Sequence, residues 1–528
     1  MARPNFLFII TDQHRADHLG CYGNEIVQTP HIDSLASNGT RFEKFYVANP
    51  LCMPNRASLM TGRMPSLHGV RCNGTPLSER SRTYVQRLKE EGYRTALIGK
   101  SHLQNMTGKT PMWSPSSNDF SFDENGAPVQ AYDWGLHGDA YENENPKNWL
   151  DDKHQVMTPF YGFDEVKLCS GHSDEVGGDY ERWLLEQRED GNELRGEENA
   201  QPDNRITTPQ GWRTKLPEEL YPTTYIGEQC LDYLKNHTAA GGDQPFFLQA
   251  SFPDPHHPFT PPGKYWDMYD PADMPTPSSL GQGNSSMELF LRDQLEKDEA
   301  NRKTQMPYAV NEREAREAMA LTFGMITMID DQIGRLLAGL EEMGLAENTV
   351  VIFTSDHGDY MGDHGLMLKG PLHLHGMINV PFIWQDPGID EASVTRSLGQ
   401  TTDISASILD RAGVKPYYGI QGKSLMGDIS GDDPLDRKAL LIEDDRQRIN
   451  LGFTRFQSLR SIVNDRYRLT VGHPDAPDEL YDLKADPDEV NNLWDDEGAK
   501  EIKADLMDQL MRLIIEHQDP TPLATAVA

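Results

Sequence analysis

The sequence lacks any apolar run long enough to cross a bilayer, and basic residues are few relative to acidic ones. Its 528 residues include 49 Lys and Arg against 83 Asp and Glu, a formal net charge of −34. A membrane span needs about 20 consecutive apolar residues, and none is present. Negative charge of this size argues against nucleic acid or an anionic membrane as the main partner. We therefore expect no nucleic-acid or membrane partner, and we interpret the acidity as mostly solvated surface.

Cysteine is also scarce. The five cysteines are odd in number and have no CxxC spacing, so the sequence predicts no disulfide framework. The N-terminal apolar segment FLFII is short and runs into polar residues, without a small-residue cleavage site. We expect this segment to be a buried strand and the protein to be cytoplasmic.

Apolar runs of strand length recur along the chain and are separated by helical patterns. The runs are Phe6–Ile10, Thr95–Ile98, Phe246–Ala250, Val350–Phe353 and Pro381–Trp384. Continuous apolarity means that both faces of a strand are covered, which is typical of a parallel sheet between helix layers. The clearest helix is predicted from about Glu312 to Met343, with one apolar face. These patterns predict an α/β fold.

Two polar stretches, Gln104 to Asp203 and Pro275 to Lys303, are predicted to be loop insertions near a site rather than core. The pattern changes after about Gly431, with strand-like KALLIE, a run around Ser458 to Val463, YRLTV and a helix from Gly498 to His517. We therefore expect a large catalytic domain over residues 1–430 and a small α+β subdomain over residues 431–528.

Polar side chains follow four of the predicted strands. The first strand is followed by Asp12 and Gln13, another by Asp356 and His357, a third by Lys100 and His102, and a fourth by SFPDPHHP. Ligands bind beyond the carboxyl ends of the strands in an open parallel sheet. A lone Asp in such a place is more often a cap or turn residue, but two of them after buried strands favour a cation site. Carboxylate and amide oxygens with one imidazole suit Ca²⁺ or Mn²⁺.

The segment LCMPNRASLMTGR carries the most specific signal. Cys52, Pro54 and Arg56 form a CxPxR arrangement, and a helix-forming run follows from Ala57 to Gly62. Cys52 is thus expected at or just before a helix N-terminus, where free N–H groups and the helix dipole favour an anion. An arbitrary cysteine is more often buried and inert. The Pro and Arg at fixed offsets favour a functional cysteine instead.

Taken in order, these motifs resemble the sulfatase family of the alkaline phosphatase superfamily. The resemblance runs through FLFIITDQ, CMPNRASLMTGR, GKSHL, PDPHHPF, TSDHGDYMGDHGL, KGPLH and ELYDLKADPDEVNNL. It implies an alkaline-phosphatase-like domain and one divalent metal ion. It also implies a separate maturation enzyme that oxidises Cys52 to formylglycine, whose hydrate attacks an anionic ester.

The resemblance assigns roles residue by residue. The metal ligands would be Asp12, Gln13, Asp356, His357 and the modified Cys52. Arg56 would hold the nucleophile, Asn73, Lys100 and His102 would bind the ester oxyanion, and His256 and Lys369 would face the leaving group. His102 would also take the proton when sulfate is expelled. No motif assigns roles to His364, His373 and His375, which we interpret as pocket wall or core.

Different residues of these motifs predict different substrates. Gln13, Asn73 and His357 resemble phosphonate monoester hydrolases and phosphodiesterases, whereas Lys100 and His102 resemble the sulfate-binding pair of sulfatases. We predict a hydrolase of aryl or alkyl sulfate monoesters, with a phosphonate monoester or phosphate diester hydrolase as the alternative. A third hypothesis is that the protein is a non-catalytic anion-binding relative in which Cys52 stays a thiol. The C-terminal helix and the tail TPLATAVA would allow a homo-oligomer or an exposed end.

Overall fold

A computed structural model of the chain describes residues 3–109, 121–122, 129–151, 153–389, 391–446, 449–474 and 476–526. Within these ranges, no helix is long and apolar enough to span a membrane. Part of the predicted insertion from Gln104 to Asp203 lies outside the described residues, as do the last two residues of the C-terminal tail.

The strands are β1 (Asn5–Thr11), β2 (Thr40–Phe42), β3 (Phe45–Tyr46), β4 (Arg94–Gly99), β5 (Glu165–Ser170), β6 (Gly177–Gly178), β7 (Phe246–Ser251), β8 (Tyr308–Ala309), β9 (Thr349–Ser355), β10 (Leu366–Met367), β11 (Phe382–Gln385), β12 (Ser393–Thr395), β13 (Gly399–Gln400), β14 (Ala439–Asp445), β15 (Ser458–Asn464), β16 (Tyr467–His473) and β17 (Glu479–Asp482). The helices are α1 (Pro30–Ser37), α2 (Cys52–Thr61), α3 (Pro65–His68), α4 (Tyr84–Glu90), α5 (Asp179–Gln187), α6 (Pro222–Ala239), α7 (Ser286–Glu296), α8 (Glu312–Glu342), α9 (His375–Ile378), α10 (Thr401–Arg411), α11 (Met426–Ser430) and α12 (Lys500–Glu516).

The main sheet has the strand order β12-β2-β11-β9-β1-β7-β4-β5-β6. Its centre, β9-β1-β7-β4-β5, is parallel throughout. All five predicted strands lie in this sheet, so the α/β prediction is confirmed. One of them, β11, pairs antiparallel with both β9 and β2. The only α-helix in the segment between β9 and β11 is the four-residue α9. This segment therefore has no crossover helix of the kind that usually joins parallel strands.

The apolar strands are buried on both faces, as their continuous hydrophobicity predicts. In β1, Leu7 and Ile9 belong to one core cluster, while Phe6, Phe8 and Ile10 belong to the cluster on the opposite face. Helix α8 packs its apolar face into the first cluster and leads into β9. This arrangement holds the central strands and their carboxyl ends in fixed positions.

The prediction that residues 104–203 are a loop insertion rather than core was wrong for part of this stretch. This stretch contributes β5 to the main sheet, and β6 and α5 follow it. The amino-terminal half of β5 is only half-buried, so its sequence does not show the continuous apolar run that marks the central strands. Residues 110–120, 123–128 and 152 of the insertion lie outside the described residues. The other predicted insertion contains α7, whose N-terminus is closed by a capping box at Ser285.

The C-terminal region forms a separate antiparallel sheet of order β14-β15-β16-β17, against which α12 packs. The predicted change of pattern after Gly431 is therefore seen, although the domain division at that residue stays a prediction. At the centre of this sheet Arg468 donates hydrogen bonds to Glu489 at 2.6 Å and to Glu479 at 2.7 Å. The three side chains are at most 3 % exposed.

We expect Arg468→Met to lower the free energy of unfolding by about 3 to 5 kcal/mol, because two buried carboxylates would lose their counter-charge. Urea unfolding measures this. Arg512→Met is the control, since Arg512 is 75 % exposed where it pairs with Asp508, and an exposed pair of this kind contributes about 0.5 kcal/mol or less. Equal effects of the two substitutions would contradict the prediction.

Candidate active site

The polar residues after the central strands meet at one edge of the sheet. β9, β1, β7 and β4 are parallel neighbours in that order, so their carboxyl ends lie side by side. Backbone hydrogen bonds fix the two acidic residues there. The Asp12 N–H donates to the carbonyl of Asp254 at 3.2 Å, and the Asp356 N–H donates to that of Thr11 at 3.1 Å.

Four of the predicted metal ligands form one compact buried group. One potential ligand atom from each of Asp12, Cys52, Asp356 and His357 lies within 4.8 Å of all the others. His357 donates from Nδ1 to the carbonyl of Gly358 at 2.8 Å, which turns its Nε2 toward Cys52. Two buried carboxylates with an imidazole fit a hard or borderline divalent cation.

The fifth predicted ligand, Gln13, is connected to the same group through Lys369, which also contacts Cys52. Gln13 Nε2 donates to Asp359 and lies 3.2 Å from His257 Nδ1, while Gln13 Oε1 accepts from Lys369 at 3.1 Å. Its backbone has φ +63°, a left-handed conformation that non-glycine residues seldom adopt. Such strain persists where the surroundings enforce it, often at functional sites.

Cationic side chains compensate the buried acids. Arg56 Nε donates to Asp356 at 2.7 Å, and Lys100 Nζ donates to Asp12. Burial would raise the pKa of Asp12, but Lys100, Lys369 and His357 hold it well below its ordinary value. Asp12 is therefore charged and can bind a cation.

Cys52 is the first residue of α2 and is 1 % exposed. Its Sγ lies 3.0 Å from both Lys369 Nζ and His357 Nε2. Burial and Asp12 would raise the pKa of the thiol, yet Lys369, Lys100 and His357 lower it below its ordinary value. Residue 52 thus lies where both the cations and the helix N-terminus favour negative charge.

Lys369 and His256 form a hydrogen-bonded pair next to Cys52. Lys369 Nζ lies 3.0 Å from His256 Nε2, and His256 Nδ1 lies 2.6 Å from the carbonyl of His257. Although burial opposes it, the pKa of Lys369 is raised by the negative charges of Cys52 and Asp12. Burial, His172 and Lys369 hold the pKa of His256 well below its ordinary value. The proton of this pair therefore resides on Lys369.

His102 and Asn73 have different surroundings. His102 is 6 % exposed, and its Nδ1 has no hydrogen-bond partner in the part of the chain that the structure describes. Asn73 Oδ1 accepts from the N–H of Met53 at 3.1 Å and so satisfies a free donor in the first turn of α2. Asn73 therefore has a structural role at the N-terminus of α2, and its role in oxyanion binding stays a prediction.

The sequence matches known protein families over most of its length. The sulfatase family model matches residues 4–414, and a model described as N-sulphoglucosamine sulphohydrolase, C-terminal, matches residues 362–516. This chain belongs to the sulfatase family. An arylsulfatase of Clostridium perfringens is 28 % identical over 522 residues, which is 97 % of this chain and 94 % of the relative. The multifunctional alkaline phosphatase superfamily protein PehA of Trinickia caryophylli is 26 % identical over 555 residues, covering 99 % and 97 % of the two chains.

Solved structures of phosphonate monoester hydrolases share the fold of this sulfatase-family chain. The enzyme of Agrobacterium radiobacter superposes with a TM-score of 0.73 at 24 % identity, over 98 % of this chain and 97 % of that one. The Silicibacter pomeroyi enzyme gives a TM-score of 0.75 at 24 % identity, over 98 % and 96 %. Identities this low establish the alkaline-phosphatase-type fold and no more.

Three residues of this sulfatase-family site were given no role by the sequence, where His256 was preferred to the adjacent His257. Asp359 and His257 contact the amide of Gln13, and His172 contacts Lys100. Asp359 lies in the quoted TSDHGDYMGDHGL motif and His257 in PDPHHPF, so both were within reach of the sequence. His172 belongs to no motif, because it follows β5, a strand that the polar pattern of the insertion does not predict.

The histidines to which no motif assigns a role lie outside the metal group. His364 pairs with Glu288, and His373 lies 2.7 Å from Ser461 Oγ. His375 lines a cavity of about 540 Å³ whose wall also includes Arg15. These positions agree with the prediction of pocket wall or core.

We expect Asp359→Asn to weaken divalent metal binding about 10- to 100-fold, as is typical when a residue that orients a ligand is lost. Asp359 Oδ1 accepts the N–H groups of Met361 at 2.6 Å and Leu368 at 3.1 Å, so the new NH₂ would face Gln13. Gln13 would then flip and present its NH₂ to the metal. Calorimetric titration of metal-free protein with Mn²⁺ and Ca²⁺ measures the affinity.

Asp363→Asn is the matched control, because Asp363 pairs with Arg15 at 2.7 Å rather than with Gln13. Unchanged metal affinity in Asp359→Asn, or an equal loss in both variants, would show that Asp359 does not orient Gln13.

Proposed function

We propose that this sulfatase-family protein hydrolyses sulfate monoesters with a divalent metal ion and a formylglycine made from Cys52. The observation that carries the proposal is the approach of Lys369 Nζ and His357 Nε2, each at 3.0 Å, to Cys52 Sγ at the N-terminus of α2. The site concentrates positive charge and hydrogen-bond donors on the position from which a nucleophile would attack.

Each surrounding residue has a distinct part in this proposal. Asp12, Gln13, Asp356 and His357 would hold the ion, which we propose to be Ca²⁺ or Mn²⁺. When both groups are present, the ion and the hydrated formylglycine supply an oxygen nucleophile at neutral pH. Arg56 keeps Asp356 in place through its 2.7 Å ion pair.

The departing oxygen would be met by Lys369 rather than directly by His256. Lys369 carries the proton of that pair, so it can stabilise or protonate the leaving oxygen. His256 orients the ammonium group of Lys369 by accepting a hydrogen bond at its Nε2. This refines the sequence-based assignment, in which the two residues shared the role.

Formation of formylglycine requires a maturation enzyme as a partner. Because Cys52 is 1 % exposed, we propose that this partner acts on the unfolded segment. The substrate would be a small anionic ester. A cytoplasmic location and a homo-oligomeric state remain predictions.

Lys100 and His102 favour sulfate monoesters as the substrate class. A sulfate monoester has three non-bridging oxygens, whereas a phosphonate monoester or a phosphate diester has a carbon or ester substituent in place of one of them. His102 Nδ1, which has no partner among the described residues, and the ammonium of Lys100 suit hydrogen bonding to the third oxygen. A site built to hydrogen-bond a group rejects analogues that lack it.

Phosphonate monoester or phosphate diester hydrolysis is the second candidate. Gln13, Asn73 and His357 favour it, and phosphonate monoester hydrolases are among the structural neighbours. The nucleophile and the metal site would be the same, so only the substrate preference separates the two proposals.

We expect Cys52→Ala to lower kcat by at least about a thousandfold, since it removes the nucleophile. Cys230→Ala is the control, because Cys230 is also fully buried but lies in the core cluster around α6 and α8. Turnover of a sulfate monoester is the measurement, with circular dichroism to verify folding. Near-normal turnover in folded Cys52→Ala would contradict the mechanism.

We expect Lys100→Ala and His102→Ala each to lower kcat/KM for a sulfate monoester roughly thirtyfold to a thousandfold. This corresponds to a loss of about 2 to 4 kcal/mol of transition-state stabilisation. Phosphonate monoester hydrolysis should fall much less, because that substrate has no third oxygen. Paired kinetics on an aryl sulfate, an aryl phosphonate and an aryl phosphate diester give the comparison. A parallel fall of all activities would assign the pair to the nucleophile or the fold, and faster phosphonate turnover by the wild type would favour the second candidate.

A further inference from the structure

His172 lies at the same edge of the sheet as the candidate site, although no sequence motif predicts it there. It follows β5, which pairs in parallel with β4 so that Gly99 is opposite Leu168. Lys100 follows β4, and the two residues therefore emerge from adjacent strand ends. The His172 side chain is 12 % exposed, whereas Lys100 and Asp12 are fully buried. His172 thus lies on the outer side of the Lys100–Asp12 pair.

The hydrogen bonds of His172 connect it to Lys100. Its Nε2 lies 2.8 Å from Lys100 Nζ and 3.8 Å from Asp12 Oδ2. An ammonium group only donates hydrogen bonds, so Nε2 of His172 must be the acceptor and Nδ1 carries the ring proton. Lys100 has three N–H donors, of which Asp12 and His172 each accept one. Among the described residues the third N–H of Lys100 has no acceptor, and its direction is set by the other two.

The ring of His172 makes a second contact. It stacks on His256 with the ring centroids 3.5 Å apart and the planes 8° apart, and His256 in turn stacks on His257 at 4.1 Å. His172 therefore touches both the oxyanion side of the site, through Lys100, and the leaving-group side, through His256. The two contacts use different properties of the side chain, since one needs an acceptor atom and the other needs an aromatic face.

We propose that His172 is a positioning residue that directs the free N–H of Lys100 toward the substrate oxyanion, and that it thereby sets the preference for a sulfate group. The inference rests on the proposed function, in which Lys100 binds the oxyanion, and adds that His172 orients Lys100. Without the acceptor at residue 172, Lys100 would keep only Asp12 and could rotate about that single contact.

Two substitutions separate the contacts of His172. His172→Gln keeps an acceptor oxygen within reach of Lys100 but loses the aromatic face, whereas His172→Phe keeps the face and loses the acceptor. We expect His172→Phe to weaken binding of inorganic sulfate, and to lower kcat/KM for a sulfate monoester, about 10- to 100-fold. His172→Gln should restore most of both quantities.

The first measurement is the dissociation constant of inorganic sulfate on the mature, metal-loaded enzyme, by calorimetry. The same titration in a Lys100→Met background completes a double-mutant cycle, in which His172→Phe should have no further effect because its target is gone. His154→Phe is the control for placing Phe in this insertion, since His154 packs against Trp149 at 4.9 Å and contacts none of the site residues named above. It should bind sulfate like the wild type.

Several outcomes would overturn the inference: unchanged sulfate binding in His172→Phe, equal losses in the Phe and Gln variants, or a further loss in the Lys100→Met background. The sulfate titration needs no turnover. If the wild type prefers phosphonates, the proposed substrate is wrong. The double-mutant cycle would still test whether His172 orients Lys100.

Discussion

The site depends on two carboxylates, Asp12 and Asp356, that are buried side by side at the carboxyl ends of adjacent strands. Each is 1 % exposed or less, and burying an ionised carboxylate without a partner costs several kcal/mol. The chain meets this cost with Lys100 on Asp12 and Arg56 on Asp356. Both cations are themselves buried, so each depends on its acid as much as the acid depends on it.

This mutual dependence explains why so many elements converge on the site. Arg56 comes from α2, Lys100 from the end of β4, and Lys369 from the segment between β9 and β11. Lys369 contacts Cys52, Gln13, His256 and His357 with one ammonium group. A buried ammonium group that contacts residues from four segments of the chain restricts their relative positions, so the same charges that prepare the site for chemistry also hold it in shape.

The sequence was most informative where one physical signal dominated. Continuous apolarity predicted the central strands, and parallel strands bring their ends together, so the sequence alone was enough to place Asp12 and Asp356 in one site. The CxPxR motif likewise put Cys52 at a helix N-terminus. Half-buried β5 had no such signal, and His172 was missed with it. The contacts of Asp359 with Gln13 and of Asn73 with Met53 depend on side-chain directions in folded loops, which no periodicity encodes.

The charges of the site do not discriminate between sulfate monoesters, phosphonate monoesters and phosphate diesters, because each of these esters carries one negative charge. Three cationic side chains, Lys100, Arg56 and Lys369, surround Asp12 and Asp356, and a divalent ion would add further positive charge. Positive charge attracts monoanions without distinguishing a sulfate monoester from a phosphonate monoester or a phosphate diester. Discrimination must therefore come from hydrogen-bond direction. In this site, each group that would contact the metal or the substrate is oriented by a neighbouring side chain. Asp359 orients the amide of Gln13, His256 orients the ammonium of Lys369, and His172 orients that of Lys100. Substitutions that preserve charge but change these pairs should therefore weaken the binding of sulfate more than the binding of anions that lack the third oxygen.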